Sequence, residues 1–227
     1  MFEKIIKMFY PSRCIFCNKL LEYDSKLEIC DVCYKELSFL EDQDEGTKYC
    51  DRVLGVFNYD DKIKEIIQKF KYHNKAYLYR TFAKLMVMRV GSKLRGDIII
   101  SVPLYKDREF VRGYNQSHLL AKELSHITGI KYDRHVLVRK KNTGALALCD
   151  SQEIENKIKG SFSIVDPDKV AVKSVFIVDD VFTTGATINE CSRVLKENNA
   201  NDVTAVVVAK TILWLQRNNI YADIPKG

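Results

Sequence analysis

The chain has 227 residues and a formal net charge of +6, with 46% hydrophobic residues but only 10 Gly and 4 Pro. This is a globular composition rather than a disordered one, and the length suits one good-sized domain plus a small module. No run of about 18 apolar residues is present and the first ten residues are too charged for a secretion signal, so the expectation is a cytoplasmic protein with no transmembrane segment.

At the front, Phe2, Ile5, Ile6 and Phe9 share one helical face before Pro11, as in a short amphipathic turn that packs on the rest of the protein. Two Cys-x-x-Cys pairs follow, Cys14 with Cys17 and Cys30 with Cys33, separated by twelve residues. In a chain with no secretion signal this spacing reads as a tetrahedral four-thiolate site rather than a disulfide framework. Zinc is the expected occupant and iron the S₄ alternative, in a structural role because four ligands leave no open position. Cys50 is a reserve ligand, and Cys149 and Cys191 read as ordinary small residues. The organisation predicted is a Cys₄ zinc-binding module over 1–50 and one α/β domain over 51–227.

Arg52 to Tyr59 alternates like a strand, and two helices follow, one marked by Ile63, Ile66, Ile67 and Phe70, the other spanning Leu78 to Val90. Ile98 to Val102 is a short β-branched run stopped by Pro103, the pattern of a buried strand. A polar loop is predicted from Lys106 to Gly113, then a helix marked by Leu119, Leu120 and Leu124. Val175 to Val178 is a second buried strand, followed by a helix from about Thr187 with Ile188, Cys191, Val194 and Leu195 inward, and Val203 to Ala209 is a third. Strands alternating with helices predict a parallel sheet covered on both faces.

The charge is unevenly spread. Between residues 69 and 141 there are seventeen basic and five acidic side chains, so the middle of the chain suits an anionic partner or forms a solvated basic face. Within it, Lys106, Arg108 and Arg112 lie just past the first core strand. Arginine forks match phosphate oxygens in pairs, so this loop suits a diphosphate, or else a nucleic-acid backbone with Phe110 and Tyr114 as stacking surfaces. Arg139, Lys140 and Lys141 form a second basic run that reads mainly as solvated.

The densest chemistry lies in Val175-Phe-Ile-Val-Asp-Asp-Val-Phe-Thr-Thr-Gly-Ala-Thr187. Ligands of open α/β sheets sit beyond the carboxyl ends of the strands, where Asp179 and Asp180 are expected, with Val181 to Ala186 as the loop into the next helix. A helix start offers unpaired amides to an anion, Gly185 permits close approach, and Thr183, Thr184 and Thr187 add hydroxyl donors. Two adjacent carboxylates suit the vicinal hydroxyls of a ribose, or a divalent cation. A P-loop would need Gly-Lys-Ser/Thr where Gly185-Ala186-Thr187 stands, and Gly-x-Gly-x-x-Gly is absent. The four histidines show no metal spacing, and no Ser-His-Asp or Cys-His set is evident.

The stretch 175–187 resembles the phosphoribosyl-diphosphate (PRPP) signature of type I phosphoribosyltransferases. Ser101-Val-Pro-Leu104, Arg108 and Arg112-Gly-Tyr-Asn-Gln116, together with the cysteine pairs, resemble the ComF (ComFC) family of competence-associated proteins from Cys14 to about Thr211. The resemblance implies a type I phosphoribosyltransferase fold with a ribose site at Asp179 and Asp180. It implies a 5′-phosphate loop of Val181, Thr183, Thr184, Gly185, Ala186 and Thr187. The diphosphate, with Mg²⁺, would meet Ser101, Val102, Pro103 and Leu104, with Arg108 and Arg112 beside them. It further implies a cytoplasmic role in DNA uptake during natural transformation, with single-stranded DNA and the uptake machinery as partners. The alternatives are an active phosphoribosyltransferase of nucleotide metabolism and a PRPP sensor without turnover. The family pattern Thr-x-x-Gln, then Leu, Arg and Asn, is not kept after Thr143, where Leu146, Cys149, Ile154 and Lys157 stand instead.

Overall fold

The β-branched runs form the strands of one central sheet. In the computed structural model of the protein, residues 11–41, 44–72, 75–144 and 150–211 are described. The expected turn at 1–10, together with His73, Leu146 and Cys149, lies outside them. After a short helix α1 (Asp31–Lys35) come β1 (Arg52–Asn58), α2 (Asp61–Tyr72), α3 (Leu78–Val90) and β2 (Ile98–Ser101). Then follow α4 (Lys106–Arg112), α5 (Gln116–Thr128), β3 (Lys131–Tyr132), β4 (Leu137–Arg139), α6 (Ser151–Ile158) and β5 (Phe162–Ile164). The chain continues with β6 (Ser174–Phe182), α7 (Ala186–Glu197) and β7 (Asp202–Lys210). Among the described residues no helix is long and apolar enough to cross a membrane.

The sheet has five strands in the order β1-β7-β6-β2-β3, and all its pairings are parallel. Both faces are covered, which is why its strands read as continuous apolar runs. Leu54, Ile99, Phe176, Val178, Val206 and Val208 face one side, with Phe82 and Met86 of α3 and Leu120 and Leu124 of α5. Their neighbours Val53, Ile98, Ile100, Val175, Ile177, Ala205 and Val207 face the other, with Ile188, Cys191, Val194 and Leu195 of α7. The two-residue period of a strand thus divides the chain into two cores.

The strand order contains one reversal. From β2 the chain crosses over α5 to β3, whereas from β6 it crosses over α7, on the opposite face, to β7. Neighbouring strands whose crossovers leave to opposite faces open a crevice at their carboxyl ends. That crevice lies between β2 and β6.

Three features differ from the sequence reading. The segment 106–112 is a helix rather than a loop, closed by Gly113 in the left-handed region at φ 81. Beyond Thr143, residues 151–158 are helical, started by a capping box in which Asp150 accepts from the Glu153 amide and Glu153 from the Asp150 amide. That helix rests on α7 beside a small antiparallel pair, β4 with β5, outside the main sheet.

The cysteine-rich segment covers the sheet's β1 edge. The Leu40 amide donates to the Val56 carbonyl and the Asn58 amide to the Ser38 carbonyl, at 2.9 Å each, so an unpaired strand edge is not left open. Tyr34, Phe39 and Phe57 stack in series at 5.2 and 5.1 Å between centroids. Ile29, Cys33 and Leu37 join the same apolar cluster as α2 and α3.

Candidate functional site

The crevice between β2 and β6 holds a cavity of about 830 Å³. Its walls include Val102 and Leu104 after β2, Asp107, Arg108 and Arg112 of α4, Gln116 and Ser117 of α5, Arg139 of β4, Asp179 and Asp180 of β6, and Thr187 of α7. Lys71 and Tyr72, at the end of α2, close it from the side. Seven residues singled out in the sequence therefore line one space: Val102, Leu104, Arg108, Arg112, Asp179, Asp180 and Thr187. Ser101 and Pro103 stand just behind it. The Ser101 hydroxyl is turned to the Tyr132 hydroxyl at 3.1 Å, and Tyr132 in turn bonds His118 Nδ1.

The acid pair sits differently from its sequence expectation. β6 continues through Phe182, so Asp179, Asp180 and Val181 belong to the strand, held by pairing with β7. The loop proper is Thr183 to Gly185, and the helix begins at Ala186. Strand alternation turns the two carboxylates to different neighbours. Asp179 Oδ1 accepts from the Ser117 hydroxyl at 2.6 Å and from the Asp180 amide at 2.9 Å. Asp180, only 7% exposed, forms an ion pair with Lys71. Burial pushes the Asp179 carboxyl up to about 7, the Asp180 charge adds to this, and Ser117 and Lys71 oppose it.

The start of α7 is an open anion-binding end. Gly185 takes φ 78, and a Cβ there would stand 2.7 Å from the Phe182 ring, so the turn requires glycine. Gly185 brings no side chain to cap the helix, and the Thr184 hydroxyl accepts from the Ala186 amide at 3.4 Å. The first amides of α7, beside the hydroxyls of Thr183, Thr184 and Thr187, offer donors to an oxyanion.

The opposite wall is basic. Arg112 Nη1 donates to Gln116 Oε1 at 2.5 Å, and its guanidinium lies 4.8 Å over the Tyr72 ring, so the fork is held in one orientation. Arg139 was expected to be solvated. It instead packs over Phe162 at 5.2 Å, donates to the Thr143 hydroxyl at 2.6 Å and faces the cavity. Burial lowers its proton affinity, and the nearby Arg108 charge lowers it further. Asn115 fixes the α5 end of the site. Its side chain accepts from the amides of Ser117 and His118 and donates to the Val102 carbonyl at 3.0 Å, which ties a helix cap to the turn after β2.

Lys71, Tyr72, Gln116, Ser117 and Arg139 lie in this site without having been assigned to it from sequence. Asn115, Gln116 and Ser117 carry a legible signal, an Asn helix cap directly after Arg112-Gly113-Tyr114. Lys71 carries none, because only the packing of α2 brings it to β6.

The four cysteines predicted to share a metal do come together. The Sγ atoms of Cys14, Cys17, Cys30 and Cys33 all lie within 4.8 Å of one another, and those of Cys17 and Cys30 are 3.7 Å apart. Thiolates about 2.3 Å from a tetrahedral ion are themselves just under 4 Å apart, so this set fits a metal. The first pair sits on a tight knuckle: the Asn18 amide donates to the Cys14 carbonyl, with Asn18 at φ 62. The second pair straddles the start of α1. Cys50 lies elsewhere, buried, with its thiol against the Arg52 and Val203 carbonyls, so it is no substitute ligand.

Comparison with known proteins agrees with this architecture. The family of the phosphoribosyl transferase domain matches residues 115–222. Competence protein F of Haemophilus influenzae is 29% identical over 219 residues, which cover 86% of this chain and 95% of that protein. Competence protein ComFC of Bacillus subtilis is 32% identical over 150 residues, or 63% of this chain and 57% of that protein. The chain belongs to the ComF family. A third relative, DNA utilization protein YhgH of Escherichia coli (strain K12), is 28% identical over 167 residues, covering 71% and 73% of the two chains. In this ComF chain the domain match begins at Asn115 and so leaves the turn after β2 and helix α4 outside it.

The elevated Asp179 carboxyl has a consequence for stability. A carboxyl raised in the folded state favours folding fully only below its unfolded value, and that contribution is lost as pH rises through about 7. Asn keeps an oxygen for the Ser117 hydroxyl and the Asp180 amide while removing the charge. Asp179→Asn is therefore expected to stabilise the protein by roughly 1–3 kcal/mol at pH 8 and to give no gain near pH 4, read by urea denaturation at the two pH values. Equal effects at both would show that charge burial is not the cause.

Proposed function

We propose that this ComF chain binds PRPP in the crevice between β2 and β6. The observation that carries the reading is the meeting, at one cavity, of an acid pair, a glycine-entered helix start rich in threonine, and a wall of arginines. Asp179 and Asp180 would accept the two ribose hydroxyls. Thr183 to Thr187, with the first amides of α7, would hold the 5′-phosphate. Val181 would serve as a backbone element beneath it. The turn Ser101 to Leu104, with Arg108 and Arg112, would hold the diphosphate. Mg²⁺ is the expected companion of that diphosphate, a hard cation that prefers oxygen ligands and keeps several waters. Asp107, Asp179 and Asp180 are the carboxylates that line the cavity and suit it. A pocket of this kind serves either pentosyl transfer or sensing without turnover, and incubation with PRPP and candidate acceptors separates the two by released diphosphate.

The cell role we assign is accessory to DNA uptake, in the cytoplasm. Support comes from relatives whose names are competence protein and DNA utilization protein. A physical feature supports single-stranded DNA as a direct partner: Phe110 stands 89% exposed on α4, the helix whose Arg108 and Arg112 line the cavity. Guanidinium forks match phosphates, and an exposed ring can stack on a base. The division of the chain is a zinc module over 1–50 and a phosphoribosyltransferase-like domain over 51–227, with zinc in the four-cysteine site as a structural ion.

Three outcomes are expected. PRPP with Mg²⁺ raises the melting temperature of the wild-type protein, and Asp179→Asn with Asp180→Asn abolishes the shift. Absence of a shift in the wild type would sink the PRPP reading. In fluorescence anisotropy a labelled single-stranded oligonucleotide binds with an affinity that falls steeply between 50 and 200 mM salt, and Phe110→Ala weakens it by about tenfold. Binding that is absent or insensitive to salt counts against DNA as a partner. Elemental analysis finds about one zinc per chain, and a chelator strong enough to strip it lowers the melting temperature. A metal-free protein of unchanged stability would refute the zinc module.

A further inference from the structure

From Lys69 to Arg95 the chain carries eight basic side chains and no acidic one, and the fold spreads them over the end of α2, the length of α3 and the turn beyond it. Three of these cations are held by carboxylates: Lys69 by Glu65, Lys71 by Asp180 and Lys93 by Asp44. Others turn to rings and carbonyls instead. Lys84 donates to the Lys26 carbonyl at 3.2 Å and Arg89 to the Leu40 carbonyl at 3.0 Å. Tyrosines are interleaved with the rest. Arg112 lies 4.8 Å over the Tyr72 ring, Lys75 lies 5.6 Å over Tyr77, and Arg80 lies 5.6 Å over Tyr79 and donates to its hydroxyl at 3.1 Å. Glu123 and Glu28 also attract Arg80, but Glu28 is engaged by the Thr81 hydroxyl. Tyr72 and Tyr77, 69% and 44% exposed, flank the turn between α2 and α3, and Tyr72 is part of the cavity wall. Lys84 and the exposed Met88 continue the outer side of α3, one and two helical turns past Arg80.

We propose that Tyr72, Lys75, Tyr77, Arg80 and Lys84 form a surface along which single-stranded DNA runs away from the crevice, with bases stacked on the tyrosines and phosphates set against the cations. This rests on the DNA reading of α4 and extends it to a second element. The two surfaces are continuous, because Arg112 of α4 both covers the Tyr72 ring and donates to the Tyr72 hydroxyl at 3.2 Å. The chemistry selects a single strand. An unpaired base has a free face to lay on a tyrosine ring, and its phosphates suit a stretch of cations with no carboxylate among them, whereas a duplex keeps those faces stacked inside. A membrane fits less well. A helix that lies on lipid needs its apolar face free, and α3 spends that face on the protein core through Leu78, Phe82, Leu85 and Met86.

The test is fluorescence anisotropy of the full chain with a labelled oligothymidylate. Tyr77→Ala should bind about tenfold more weakly, while Tyr77→Phe, which keeps the ring, stays within about twofold of the wild type. Arg80→Gln with Lys84→Gln should reduce the slope of log affinity against log salt by about 1.4, the counterions that two phosphate contacts release from a single strand. Crosslinking of a bromodeoxyuridine oligonucleotide to the wild type gives a reading that needs no variant, and should label the peptide that carries Tyr77. Variants that bind as the wild type does, with an unchanged salt slope, overturn the proposal, as does label confined to α4. Equal weakening of a duplex by Tyr77→Ala also overturns it, since no unpaired base would then be involved. Vesicles of phosphatidylglycerol and phosphatidylcholine provide the last arm: loss of vesicle binding in the charge variant with oligonucleotide binding intact would assign the surface to lipid instead. If the wild type binds no single strand at all, the DNA reading fails and this surface falls with it. If Phe110→Ala weakens binding and the Tyr77, Arg80 and Lys84 variants do not, the α4 reading stands and this surface alone is removed.

Discussion

The charge of two neighbouring carboxylates near the carboxyl end of a buried strand is the constraint that the rest of the cleft answers. Asp179 and Asp180 belong to β6, which β2 pairs only as far as Val178 and β7 pairs through Phe182, so neither can move away from the other without breaking the β7 ladder. The like charge must then be met in place. The protein meets it with a hydroxyl from α5, a backbone amide within the strand and an ammonium from α2. These groups come from three elements, so the relative placement of α2, α5 and β6 sets the electrostatics of the cleft as well as the packing. The pinning of Phe70 to Tyr114 and the Asn115 cap on the turn after β2 are where this placement is secured.

The topology explains why the acids face a cavity at all. Had the crossovers after β2 and β6 left to the same face, a helix would cover the gap between the two strand ends. They leave to opposite faces, with α5 on one and α7 on the other. The gap stays open, and the N-terminal ends of α5 and α7 approach it from both sides. The cysteine-rich segment acts at a distance from this. By covering the free edge of β1 and sharing an apolar cluster with α2, it braces the helix that carries Lys71.

Much of this was legible in the sequence because strong local patterns and tertiary packing agree there. Ile63, Ile66, Ile67 and Phe70 are at helical spacing and are all buried, and the β-branched runs at 98, 175 and 203 are all strands of the sheet. The cysteine spacing carried its own geometry, since two short Cys-x-x-Cys turns leave few ways to arrange four thiols other than together. The α4 segment was misread because seven residues rich in charge, with Phe110 and Val111 both exposed, show no buried face to reveal a helix. The extent of β6 was misread for the opposite reason. Two aspartates are poor strand residues, and only the β7 ladder, which continues to Lys210, holds them extended. Lys71 and Arg139 were beyond reach because their roles depend on contacts with residues 109 and 23 positions away in the chain.

On the proposed reading, the charge of the cavity bears on how one site would serve both a small phosphorylated ligand and a polymer. Lys71, Arg108, Arg112 and Arg139 line it against Asp107, Asp179 and Asp180, so the two signs nearly balance, but they are segregated. Asp179 and Asp180 lie deep, on β6 with Lys71 paired to Asp180, whereas Asp107, Arg108 and Arg112 belong to α4, the helix that also carries the exposed Phe110. A nucleic-acid backbone entering the deep end would meet two carboxylates and be repelled, whereas a ribose would find acceptors for its hydroxyls there. Along α4 the preference would reverse, because guanidinium forks favour phosphates and an exposed ring favours bases. Segregated charge would therefore keep a strand at the rim and a sugar phosphate in the interior, with α4 the element that both would touch. Occupation of the interior by a diphosphate would consume the positive charge of Arg108 and Arg112, so two such ligands would be coupled through α4, each weakening the other.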